Sequence, residues 1–305
     1  MLRQWPCRGV AMAVILEALA RLSVLVFVVS SMLAMGLSLT AGQILRPLRD
    51  RRRVATTLLA NFVLVPLLGY AILALVPLSE AQSVGVLLLA TAAGAPFLPK
   101  LVEAAKGDLA FSVGLMVLLM VVTVAYVPIV LPVLLPGVQV NPLDIASSLV
   151  VLMLAPLAVG LLVKDRYADT ADAVQPVVSQ TSSTALVFLV VLMLVLNFQT
   201  VLSVIGTGVL IALLLFIAGS FAIGWGLGGS AVDDRSVTGL GTAQRNVSAA
   251  LIVGAQNFTD PNVLVVLVIG AMLMLVVLLP LGGELGRRTA SAAGESTSEG
   301  MTTDD

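Results

Sequence analysis

Two cationic side chains stand inside stretches otherwise apolar enough for lipid: Lys100 in ATAAGAPFLPKLVEAAKGD and Arg245 in GLGTAQRNVSAALIVGAQNF. A charge near the middle of a bilayer costs roughly 2.5–3.5 kcal/mol on insertion scales, so it faces a partner or a cavity. Both sit beside helix breakers. Gly94, Pro96 and Pro99 precede Lys100, while Gly239 and Gly241 precede the polar run Thr242, Gln244, Arg245, Asn246 and Ser248. Each proline removes a backbone donor, and carbonyls freed at membrane depth must find another partner. The amino ends of half-helices carry partial positive charge and favour anions. The chemistry indicated is the binding of an anion or ion, by Lys100, Arg245, Thr242, Gln244 and Asn246. Asn61, beside Pro66, and Ser112, just after KGD, add hydrogen-bonding groups. Structural roles compete with this reading. Lys100 has Glu103 within ion-pairing reach on a helix, and small and polar residues also make helix-packing seams.

The elements that position these residues are membrane helices. The 305 residues are 59% hydrophobic and 11% charged, with a mean hydropathy of +1.10, where a soluble domain carries about 25% charged residues. Lipid must cover the apolar surplus. There is no histidine and one cysteine, Cys7, so no internal disulfide, no thiolate metal cluster and no imidazole base. No acidic pair lies within a span. The composition therefore argues against an enzyme, and with a net charge of −1 and no basic stripe it gives no footprint for nucleic acid. The first twenty residues resemble a secretory leader only until Glu17 interrupts the apolar run.

Apolar stretches of bilayer length fall at 17–39, 54–76, 84–105, 110–132, 144–163, 176–198, 206–227, 237–257 and 262–282. This predicts an all-α integral membrane protein of about nine transmembrane helices. Asn197 and Gln199 mark a helix end. Residues 1–285 form a single transmembrane domain, and the Ser/Thr/Gly/Glu-rich stretch 286–305 reads as a disordered cytoplasmic tail. Arg46, Arg49, Arg51, Arg52 and Arg53 crowd the first loop. With that side cytoplasmic, alternate loops carry Lys106, Lys164, Arg166, Arg235, Arg287 and Arg288, and the opposite loops carry no Lys or Arg. The amino terminus then lies outside a cell membrane and the carboxyl terminus in the cytoplasm; Arg3, Arg8 and Arg21 run against the rule.

The two halves echo each other. A straight, an interrupted and a straight span at 54–132 recur at 206–282, offset by five spans. An odd offset reverses the orientation of the copies, the signature of an inverted repeat, and paired interrupted helices mark the binding site of a secondary transporter.

The residues also carry a resemblance. MGLSLTAGQILRPLRDRRRVATTLLANFVLVPLLGY, LLLATAAGAPFLPKLVEAAKGDLAFSVGLMVL and GTAQRNVSAALIVGAQNF resemble, in order and spacing, helices of the bile acid:sodium symporter family, from about residue 17 to 285. The resemblance implies two broken helices that cross at midplane. It implies a core of 54–132 and 206–282 and a panel of 17–39 and 144–198, in a nine-helix version of a typically ten-helix fold. It also implies sodium-coupled import of an organic anion, by alternating access of core against panel.

Position by position, the family's sodium ligands are altered. Its Ser-Asn pair falls on Leu98 and Pro99, its shared glutamate on Gly241 and one glutamine on Arg245. A threonine becomes Met116, and a second glutamine becomes Asn61. Ser112 and Asn246 are kept. Fixed cations at Lys100 and Arg245 repel sodium, so the sequence predicts that they stand in for it, in a uniporter, an exchanger or a proton-coupled carrier rather than a standard sodium symporter. The expectation is a secondary transporter of a small organic anion, with no resident cofactor or metal. The alternatives are a membrane sensor that binds without transport, and an auxin-carrier-like exporter. An arsenite exporter would need a membrane cysteine, and Cys7 lies outside the spans.

Overall fold

Proline and glycine punctuate the apolar runs, and the computed structural model shows what each does to the chain. The structure describes residues 6–45, 49–135, 141–196 and 208–301. Arg3, Arg46, Asn197, Gln199 and the last residues of the tail lie outside these.

Among the described residues the regular elements are all helices. The elements are α1 (Pro6–Ser38), α2 (Ala41–Leu45), α3 (Arg51–Leu59), α4 (Val65–Leu75), α5 (Glu80–Thr91), α6 (Leu98–Ala104), α7 (Leu109–Leu134), α8 (Pro142–Leu149), α9 (Ala155–Arg166) and α10 (Ala168–Leu196). They continue with α11 (Val209–Leu227), α12 (Val232–Ala243), α13 (Val247–Asn257) and α14 (Pro261–Met301). Among the described residues, six stretches are long and apolar enough to cross a membrane: Ala18–Ser38, Arg51–Leu75, Leu109–Leu134, Pro142–Arg166, Val209–Leu227 and Pro261–Thr289. Helix α14 continues to Met301, through most of the stretch expected to be a disordered tail. Glu284 pairs one turn on with Arg287 at 2.8 Å and with Arg288 at 3.1 Å, spacings that favour a continuing helix.

Two spans bend without breaking. Each contains a five-residue π turn, Ala60–Leu64 and Val150–Leu154, just before a proline, Pro66 and Pro156. A proline cannot donate to the carbonyl four residues back. At Pro66 that carbonyl belongs to Phe62, and the Tyr126 hydroxyl of α7 donates to it instead, at 2.6 Å. The π turn places Asn61 at the buried face of its span.

Helix α1 packs against α9 and α10 to form one group. Its backbone meets that of α9 at Gly36 and Gly160, where a Cβ on Gly36 would stand 2.3 Å from the Leu157 carbonyl oxygen. A second group holds α4, α5, α7 and α11 to α14, with α14 on α5 and α11 on α12. The groups touch where α1 packs on α13, and there Arg21 Nη1 donates to the Ala255 carbonyl at 3.0 Å.

Candidate functional site

The two groups meet over two interruptions. Helix α5 ends at Thr91, residues 92–95 run without helix, and α6 begins at Leu98. Helix α12 ends at Ala243, Gln244 is extended, and Asn246 caps α13 by accepting from Ala249 N–H at 3.0 Å. Gly94 is what the first interruption demands: its φ is +79°, and a Cβ there would stand 2.2 Å from the Met120 nitrogen of α7.

The interruptions cross and bond. Asn246 N–H donates to the Ala92 carbonyl at 2.9 Å, and Asn246 Nδ2 donates to the Gly94 carbonyl at 2.9 Å. Between them, Thr123 Oγ1 of α7 accepts from Ala93 N–H and donates to the Ala93 carbonyl, both at 3.0 Å. Arg245 meets the end of α5. Its Nε donates to the Leu89 carbonyl at 2.9 Å and its Nη2 to the Ala90 carbonyl at 2.9 Å. Its Nη1 donates to Asn61 Oδ1 at 2.6 Å and to the Thr242 carbonyl at 3.1 Å. Asn61 Nδ2 donates in turn to the Thr57 carbonyl at 3.0 Å and to Thr242 Oγ1 at 3.3 Å. Ala95 accepts from Leu98 N–H. The carbonyls of Leu89, Ala90, Ala92, Ala93, Gly94 and Ala95 thus all have protein donors, where a broken membrane helix would otherwise present them to water or an ion.

Arg245 is fully buried, yet among the described residues no carboxylate pairs with it. Its charge rests on oxygen dipoles. The carbonyls of Leu89 and Ala90 lie in the last turn of α5, the partially negative end of that helix. A guanidinium has five donors in a planar fork, and four hydrogen bonds use them here.

A partly open cavity of about 560 Å³ lies on one side of the crossing. Phe27 to Leu39 of α1 and Gln175 to Val187 of α10 form one wall. Ala95 to Lys100, Val113 and Met116, Gln244 to Ser248, and Ala271 and Leu275 form the other. Lys100 lines it, is exposed, and makes no ion pair or side-chain hydrogen bond with a described residue; the pair with Glu103 that the spacing allows is not formed. Gln244 is 5% exposed, and its Oε1 is buried with no donor.

The structure therefore divides the residues singled out in the sequence. Asn61, Thr242 and Arg245 form one buried network. Asn246 fastens one interruption to the other. Lys100 and Gln244 face the cavity, which Arg245 also borders. Ser112 is buried, spends its hydroxyl on the Leu109 carbonyl of its own helix at 2.8 Å, and is not among the cavity-lining residues. Four of the five Arg245 donors meet protein oxygens, and among the described residues the cation at the cavity without a hydrogen-bond or ion-pair partner is Lys100. Two contributors were not singled out. Thr123 and Tyr126 are the two hydroxyls of the apolar run LLMVVTVAYVP, a pattern that itself marks buried polar roles. Ser179, Ser182 and Ser183 give the α10 wall its hydroxyls, but only the packing tells the cavity face of α10 from its other faces.

Sequence comparison agrees with this architecture. The sequence model of the sodium bile acid symporter family matches residues 24–204. The chain belongs to that family. No curated protein matches it. The match takes in α1, the first interruption and α10, and ends before α11, so the second interruption lies outside it. Family membership and the apolar helices make the chain a multi-pass membrane protein of a transporter family.

The protein's own geometry tests the sodium that the family name carries. At Gly241, where the resemblance puts a shared glutamate, the side-chain space is filled: an added Cβ would meet Leu98 Cδ2 at 3.1 Å and Leu115 Cδ2 at 3.7 Å. Leu98 stands where the resemblance puts a serine. Sodium takes oxygen ligands, and those around Arg245 already hold its guanidinium.

Proposed function

We propose that the chain is a secondary carrier of a small organic anion, working by alternating access and without sodium coupling. The observation that carries this reading is the cavity between the α1–α10 wall and the two crossing interruptions, with Lys100 as its one free ionised side chain among the described residues. Lys100 draws the anion in. Gln244 Nε2 and the Ser248 hydroxyl at the start of α13 donate hydrogen bonds to it, near the partially positive end of that helix. Phe27, Phe97 and Leu275 give the remainder of the ligand apolar contact.

Arg245 holds the end of α5 against the second interruption in the way a bound cation would. Both interruptions then stay fastened whether or not an ion is present. The α3–α7 and α11–α14 regions move as one body against α1, α8, α9 and α10, in nine spans built as an inverted repeat. Under the positive-inside rule the cavity opens toward the cytoplasm, and the Arg21–Ala255 contact closes the outer side. That contact breaks when the carrier turns outward.

The test is a thermal-shift screen of organic anions on the purified protein and on Lys100→Ala, followed by uptake of the best ligand in proteoliposomes. The reading predicts ligands that raise Tm by several degrees in the native protein and much less in the variant, and that are taken up. Binding without uptake would make the protein a sensor. Equal stabilisation of both proteins would remove Lys100 from the site.

A further inference from the structure

We infer that this carrier is an obligatory exchanger: the moving body crosses between its two states with an anion aboard, and returns slowly when empty. This rests on the carrier reading above and adds the mode of transport.

The argument is one of charge compensation at Lys100. The side chain lines the cavity, is exposed to it, and has no acidic partner among the described residues. No carboxylate lines the cavity. Arg245 differs, because its charge is held by four protein oxygens that travel with it, so its surroundings are the same in both states. Lys100 alone changes surroundings. To reach the other side it must pass the wall of α1, where Ala20, Val24 and Val28 recur on one face and are buried. An ammonium ion passing an apolar seal loses water and gains nothing in return. The insertion cost of a lysine at mid-bilayer corresponds to roughly 100-fold in rate. A bound monovalent anion forms a neutral pair with Lys100 and removes that barrier, whereas a dianion leaves a net negative charge and restores one. The substrate class is therefore a monovalent anion, and the favoured cycle is one anion in for one anion out.

The experiment uses full-length protein in proteoliposomes preloaded with one of a panel of radiolabelled monocarboxylates, cholate among them. Efflux is measured into buffer without anion and into buffer with the same unlabelled anion. The native protein is expected to exchange at least ten times faster than it releases the anion into empty buffer. Lys100→Gln keeps a polar side chain, one atom shorter, and removes the charge. Its exchange and net efflux should converge, even as its affinity falls. Because Lys100 has no protein partner, the variant should melt with the native protein, which checks that it folds. Net efflux as fast as exchange in the native protein overturns the inference and leaves the carrier intact. So does net flux driven by a pH gradient, which would mean that the lysine returns without its proton. Absence of flux for every member of the panel in both modes removes the carrier reading itself.

Discussion

Replacing Arg245 by alanine tests whether a guanidinium fastens the crossing. The side chain makes four hydrogen bonds from a fully buried position. Charge-assisted bonds contribute about 1.5–3 kcal/mol each, roughly 6–12 kcal/mol together. Burying an ion opposes them by several kcal/mol. The net loss in Arg245→Ala is then about 2–4 kcal/mol, with Leu89, Ala90 and Asn61 left holding unpaired oxygens. For a chain of this size that lowers Tm by roughly 3–6 °C. The vacated oxygens form a cation site, so guanidinium or sodium should stabilise the variant and leave the native protein unmoved. At ten times its dissociation constant, such an ion restores about 1.4 kcal/mol. Arg245→Lys keeps the charge but not the planar fork, and should recover only part of the loss. The assay is thermal unfolding in detergent, with choline as the reference cation. If Arg245→Ala melts with the native protein, and no cation moves it, the guanidinium holds nothing and the substitution-for-sodium argument fails.

Other substitutions probe the same region. Thr123→Val keeps the shape of the side chain and removes both bonds to Ala93; two buried backbone groups at about 1–3 kcal/mol each predict a loss of roughly 2–5 kcal/mol in unfolding measurements. Gly94→Ala forces a Cβ toward the α7 backbone at a positive φ, and should cost at least about 3 kcal/mol or prevent folding, read as loss of monodisperse protein on size exclusion. Lys100→Ala should leave unfolding unchanged within about 0.5 kcal/mol while weakening anion binding tenfold or more, measured by calorimetry.

Much of this architecture could be read in the sequence, because the membrane makes local chemistry decisive. Gly94 and Pro96 interrupt a helix, Pro99 suits the first turn of the next one, and the run from Thr242 to Ser248 cannot face lipid, so both interruptions are visible as text. What could not be read is which atoms the interruptions satisfy. The partners of Arg245 are backbone carbonyls of Leu89 and Ala90, more than 150 residues away, and a carbonyl leaves no mark on residue type. The sequence put Arg245 in an anion site, and it could not show that four of its five donors meet protein oxygens. Ser112 shows a second limit: a serine in a helix can always bond back to the preceding turn, and its spacing does not say that it does so here. Lys100 and Glu103 are spaced for a pair that the packing does not form. Thr123 was not singled out, although a threonine in an apolar run is a visible signal.

The most direct measurement is initial uptake of a transported monocarboxylate into proteoliposomes under an inward sodium gradient, compared with equal potassium and choline gradients at matched membrane potential. The account predicts the same rate in all three, because Arg245 occupies the oxygens a sodium ion would need. Uptake that requires sodium, or that accumulates the anion in proportion to the sodium gradient, contradicts it.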